Sequence, residues 1–403
     1  MPTLHKTPGT ASKVIFCLLA SVLSASSAAR AESSLPALES CTQFSDETLL
    51  ITRLDVTEHV IAKADGPLSF KRMIESSTRP PIDPRTTVET WLGKWGESRL
   101  VNGHVVPAAN VDEMLLYWPK EGPAANQDRI ALDRAPFRLL AVLPRLDLRR
   151  VDAEAGELRF VFGAFDPNTL APRPLTIIFE FLVAGSPEVW AERWMRLAQI
   201  SDADRYRSEL VKLVDLALVS RLKGDAHSGA RVIHPPIGQI RTNDFVMMTE
   251  WDLREFHWSE ADLGFVAMPV ARTPAEAFRS SRGSELVEWI NANSSAITVG
   301  EVEMPREFLG GHALVPHDNF RWLVDAGVSE DARKAFSLAT CSGCHSGETD
   351  TRFLHIEPRW STQPPVISEF LRREIPIRGK DLVALACRSG QASAEKRPDH
   401  DVH

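Results

Sequence analysis

The sequence predicts an α+β protein, with an antiparallel-rich mixed main domain followed by a small helical C-terminal segment. Three observations carry that prediction. Two runs, GELRFVFGAF (156–165) and LTIIFEFLV (175–183), are rich in aromatic and β-branched residues and are separated by turn formers. Capped, periodic stretches such as SPEVWAERWMRLAQI and residues 202–222 are helical in pattern. From about residue 326 strand signals give way to short helical stretches around one cysteine motif.

Taken in order, LLITRLDV (49–56) reads as a strand, and PFRLLAVLPRLDLR (136–149) as an apolar strand broken at Pro144. The runs at 156–165 and 175–183 read as neighbouring antiparallel strands. The segment between them, DPNTLAPRP, is too long for a tight hairpin. Ser186-Pro187 is an N-cap followed by proline at the first helical position, and Trp190, Trp194 and Leu197 fall on one face. Residues 202–222 keep an apolar stripe through Leu210, Leu213, Val214 and Ala217. EWDLREFHW (250–258) alternates imperfectly as a strand, its Arg and acid pairs reading as a structural ion network. Thr273-Pro274-Ala275-Glu276 has the form of a capping box. Ser329 caps a helix that leads into the cysteine motif. VISEFLRRE (366–374) and DLVALACR (381–388) read as two further short helices. The expected division is 1–31 leader, 32–325 main domain, 326–389 helical segment and 390–403 polar, disordered tail.

The leader has the three parts of a secretory signal: Lys6 and Lys13, the apolar run VIFCLLASVLS, and Ala29-Arg30-Ala31. Removing it takes away three basic residues and no acid, so the net charge moves from -8 to -11. That balance argues against nucleic acid as a partner, which needs a basic footprint. No later stretch is long and apolar enough to be a transmembrane helix. The expected location is periplasmic or secreted, where peripheral membrane association is an open option. Four cysteines then remain: Cys41, Cys341, Cys344 and Cys387. A clip between Cys41 and Cys387 suits an oxidising compartment, with two unpaired thiols as the alternative.

Cys341, Cys344 and His345, in TCSGCHSGETD, form C-x-x-C-H, the attachment signature of a c-type haem. The chemistry sets the spacing. Two thiols add to two vinyl groups on one porphyrin edge, and the next residue, His345, serves as proximal iron ligand. Gly343 lets the backbone turn between the thiols, and Phe336 and Leu338 are expected against the haem edge. No methionine follows the motif, Met304 being the last. His355 in RFLHI, ten residues on, is therefore the favoured sixth ligand, with His312 and His317 in GGHALVPHD as weaker candidates. Two rival uses remain: a zinc site built on the same Cys and His residues, or a Cys341–Cys344 disulfide. Three helices around C-x-x-C-H resemble the minimal layout of a small cytochrome c.

The chain also resembles a family of uncharacterised exported or lipid-anchored bacterial proteins. The residues that carry this are APFRLLAVLPRLDLR, GELRFVFGAF, IRTNDF, EWDLREF, FLGGHAL and TCSGCHSGETDTRFLHIEPR. The resemblance implies one fold across most of the mature chain and a Cys-His block. It implies no particular reaction. The expected function is that of an exported monohaem c-type protein acting in electron transfer or haem-based redox chemistry with a redox partner protein. The alternative is a non-haem exported binding or structural protein whose Cys-His block is a zinc or disulfide staple.

Overall fold

The computed structural model describes residues 44–387, apart from 112–116, 122–128, 151–153, 220, 225–230, 247–249 and 317–318. The leader, the C-terminal tail, Cys41 and His317 lie outside the described residues.

The fold is α+β, built on a seven-stranded antiparallel sheet. Six strands pair in chain order: β1 (Phe137–Arg145), β2 (Gly156–Phe165), β3 (Pro172–Val183), β4 (Ile237–Val246), β5 (Glu250–Ser259) and β6 (Gly264–Met268). The strand β7 (Ala313–Pro316) lies against the first half of β5, while β6 lies against its second half. The expected β2–β3 pairing is present, with Phe160 opposite Phe179. Pro144 does not break β1. Val142 exchanges hydrogen bonds with Ile51 on the outer edge, and Pro144, two residues on, turns its missing N–H to that same edge.

The two faces of the sheet differ in chemistry. One carries Val142, Phe160, Phe179, Ile240 and Phe256 in a single cross-strand row, each without solvent exposure. Helices α1 (Phe70–Ser77) and α2 (Pro84–Trp95) cover it. Trp91 and Trp95 stack at 5.7 Å and present themselves at steep angles to the Phe256 ring. Helices α3 (Pro187–Ala198) and α4 (Ala203–Ala217) join the same core. Ser186 caps α3 by accepting the Val189 N–H, as its sequence predicts. The opposite face carries Arg145, Arg159, Thr176, Glu180, Arg241, Asn243 and Glu255 among Leu143, Val161, Ile178 and Leu253. Burying such a face is costly unless its charges are paired, and the C-terminal segment covers it.

Several local expectations are corrected. Residues 49–56 are not a strand: Ile51 makes one bridge, and Leu54–Thr57 forms a helical turn braced by the Arg53–Asp55 pair. Helix α4 stops at Ala217, and 221–224 pairs with 231–234. The capping box at Thr273 does not form, because tertiary partners take both of its ends. Thr273 Oγ1 accepts the Cys341 N–H, and Glu276 accepts the Leu314 N–H and pairs with Arg279. The two short C-terminal helices are one.

After α5 (Gly283–Ala292) come α6 (Glu330–Leu338), the one-turn α7 (Cys341–Cys344) and α8 (Glu369–Ala386). Helix α8 runs through Pro376, although an interior proline costs about 3 kcal/mol. Its buried stripe Leu371, Ile375, Leu382 and Leu385 packs into the main core on both sides of the proline, which offsets that cost. The C-terminal segment has no helical core of its own among the described residues. Helix α8 shares the main core, and Phe336 of α6 packs with Phe278, Leu286 and Trp322.

Candidate functional site

The cysteine motif is built by short-range hydrogen bonds and held by long-range ones. Ser329 caps α6, whose end leads into Thr340. Thr340 caps α7: its Oγ1 accepts the Gly343 N–H (2.9 Å) and donates to the Ser337 carbonyl (2.8 Å). A Cβ at Gly343 would stand 2.1 Å from the Ser337 oxygen, so glycine is the residue this turn admits. The Cys341 N–H donates to Thr273 Oγ1 (2.9 Å), which ties the motif to the loop after β6. Ser342 accepts the Trp322 indole N–H (2.8 Å). Below the motif, Arg333 of α6 meets Glu348 at 2.5 Å and donates to the Trp322 carbonyl.

Cys341 and Cys344 are buried free thiols, 0% and 2% exposed. Burial, then Glu255, pushes Cys341 up to about 12. Burial, with Cys341 beside it, pushes Cys344 up as well. Protonated, buried thiols lack the low pKa of a dithiol–disulfide catalyst. In folded protein made in a host without haem attachment, neither is expected to react with a maleimide over a time in which a urea-unfolded control reacts fully, as read by intact mass.

The His345 ring is buried and donates its Nδ1–H to the Phe353 carbonyl at 2.5 Å. That bond fixes the tautomer and leaves the basic lone pair on Nε2. Burial, partly opposed by this bond, lowers His345 to about 4, so the ring is neutral near pH 7. His355 lies beside it, ring centroids 4.3 Å apart, with Nδ1 2.9 Å from Ser368 Oγ and Nε2 3.9 Å from Cys344 Sγ. Burial, then the nearby His345, Arg378 and Arg145, holds His355 well below the usual histidine range. Phe353 sits at φ +106, a conformation that costs an L-residue about 1–3 kcal/mol.

Both rings line a cavity of about 80 Å³ between the charged face of the sheet and α8. Its apolar walls are Leu143, Val161, Ile178, Leu253, Ile356 and Leu371, and its ionised lining is all arginine: Arg145, Arg159, Arg241 and Arg378. The acids stand behind. Arg241 lies between Glu180 (3.5 Å) and Glu255 (3.2 Å), and Arg159 meets Glu157 (2.7 Å). Arg378 is less well compensated, with Asp147 and Glu374 both at 3.7 Å. Burial and the adjacent Arg145 lower it to about 10. Arg159 and Arg241 also line a second cavity of about 710 Å³, walled further by Gln239, Glu255, His257 and Met304.

The structure thus brings together Cys341, Cys344, His345 and His355. It does not bring His312 to them: His312 Nδ1 lies 3.4 Å from Asp252 Oδ1, at a separate small cavity with His104. His317 lies outside the described residues. Among those residues no group of three or more His, Cys, Asp or Glu side chains is placed to hold a metal ion. Phe336, expected at the site, faces the second core instead. Cys387 is disulfide-bonded, and its expected partner Cys41 lies outside the described residues. No helix among the described residues is long and apolar enough to cross a membrane.

The four arginines are what sequence reading missed. Their signal was the charge at inward positions of otherwise apolar strands, Arg159 in GELRFVFGAF and Glu180 in LTIIFEFLV. No family model, curated protein or solved structure matches the chain.

Proposed function

We propose that this is an exported protein carrying one c-type haem, acting in electron transfer or haem-based redox chemistry with a protein partner. Cys341 and Cys344 would be the thioether anchors, His345 the proximal ligand and His355 the second ligand. The observation that supports this reading is the His345 ring. It is neutral, its Nδ1–H is given to a backbone carbonyl, and its Nε2 lone pair belongs to a residue lining a cavity edged by arginine. Metal-ligating histidines are oriented in this way.

Bound haem supplies one-electron chemistry at its iron. The chain would supply the rest: apolar walls that exclude water, and Arg145, Arg159, Arg241 and Arg378 to receive carboxylates. The smaller cavity alone is below the ~300–1,000 Å³ of ordinary ligand pockets. The 710 Å³ cavity shares only Arg159 and Arg241 with it and is lined by none of Cys341, Cys344, His345 and His355, so a bound haem would need the C-terminal segment to open at the motif. The two histidine rings touch as they stand. For both residues to hold the iron, His355 would have to move off His345. Two imidazole ligands favour a lower potential than His/Met ligation.

Protein purified from a host that matures c-type haems is expected to show a sharp α band on reduction and to keep its tetrapyrrole after denaturation. Colourless or zinc-loaded protein refutes the proposal. His355→Ala is expected to convert a low-spin spectrum to high-spin with covalent attachment intact. An unchanged low-spin spectrum excludes His355 as ligand.

A further inference from the structure

The small cavity between the sheet and α8 is lined by polar groups that the fold leaves unused. Three of its four arginines have close acids. Arg145 meets Asp147 at 2.8 Å, Arg159 meets Glu157 at 2.7 Å, and Arg241 meets Glu255 at 3.2 Å. Arg378 of α8 is the exception. It is 8% exposed, its two acids stand at 3.7 Å, and its side chain donates no hydrogen bond among the described residues. Burying a guanidinium with unspent donors is costly. Burial, with Arg145 beside it, already lowers Arg378 to about 10. On the sheet side of the cavity, Asn243 of β4 is 3% exposed. Its amide N–H donates to Thr176 Oγ1 (2.9 Å), while its Oδ1 has no partner.

An unmet donor on the helix and an unmet acceptor on the sheet thus line one space of about 80 Å³. A ligand that satisfies both carries an anionic acceptor and, next to it, a donor. Its size is bounded, because a cavity of about 150 Å³ takes a benzene ring, so this one takes about six heavy atoms or fewer. The remaining walls, such as Val161, Ile178, Leu253 and Ile356, are apolar and call for hydrocarbon. Inorganic phosphate carries no hydrocarbon, and a plain carboxylate carries no donor. We propose that the cavity binds a short 2-hydroxycarboxylate the size of lactate, with its carboxylate on Arg378 and its hydroxyl donating to Asn243 Oδ1. Bound in this way, the ligand joins α8 to the sheet and stabilises the closed form. The proposal does not rest on the haem reading, since a ligand of this size needs no opening of the C-terminal segment.

The test is calorimetric titration of lactate into the full chain made in a host without haem attachment. Saturable binding is expected, with a melting temperature that rises with lactate concentration. Methoxyacetate matches lactate in heavy atoms and charge but has no hydroxyl to donate. It is expected to bind about tenfold more weakly, the worth of one hydrogen bond between uncharged groups. Inorganic phosphate is expected to bind more weakly than lactate. Arg378→Leu is expected to weaken lactate about a hundredfold, because the charge-assisted bonds to the carboxylate are lost. Should that variant fail to fold, Arg378→Lys keeps the charge without the planar fork, and a smaller loss in the same direction is expected. Asn243→Leu is expected to erase the preference for lactate over methoxyacetate. The comparison of the two ligands on the unaltered protein reads the same bond without any substitution. Lactate that does not saturate at millimolar concentration, lactate and methoxyacetate bound alike, phosphate bound as tightly as lactate, or an affinity unmoved at position 378 each overturns the proposal.

Discussion

The double variant Cys341→Ser/Cys344→Ser, made in a host that matures c-type haems, is expected to retain no tetrapyrrole after denaturation. Each single variant is expected to keep at most one thioether. Attachment is covalent and local to two sulfurs, so the expected loss is complete rather than graded. Intact mass after acid extraction reads it directly. Both sulfurs are buried, and a hydroxyl left without a partner there costs about 1–3 kcal/mol. Circular dichroism therefore has to show that the double variant still folds. A folded double variant with haem still covalently bound would refute the anchor assignment. A folded unaltered protein without haem would refute the functional proposal itself.

Arg333→Met is expected to destabilise the fold by about 3–5 kcal/mol, because it leaves the Glu348 carboxylate buried without its cation. Arg333 links α6, the Trp322 carbonyl and the segment just after the motif, so the loss falls on the support of the Cys-His block. Adding Glu348→Gln should recover most of that loss, since no buried charge is then left over. Urea midpoints for the two single variants and the double variant decide it. Losses that simply add would show that the pair is not coupled.

The elements legible in the sequence were those with their own local signals. The β2 and β3 runs, the Ser186-Pro187 helix start and the Ser329 cap carry complete instructions within a few residues. The failures share one cause, which is partners distant in sequence. Thr273 looked like a helix cap, and its hydroxyl instead holds Cys341, 68 residues away. Residues 366–374 and 381–388 looked like two helices, and burial of Leu371 and Leu385 carries one helix, α8, through Pro376 between them. At the site, Cys341, Cys344, His345 and His355 were legible because they lie within fifteen residues of one another in the chain. The arginines that edge the cavity come from β1, β2, β4 and α8, and only the pairing of the sheet brings them together.

Both sulfurs lie inside the closed molecule, Cys341 against the loop after β6 and Cys344 beside His355. No assembly enzyme reaches a bond-forming atom that is buried in this way. If haem is joined to this chain, the joining precedes the final docking of the C-terminal segment on the sheet, and the prosthetic group is present while the last part of the protein folds. The order of biosynthesis would then be fixed by which surface closes last.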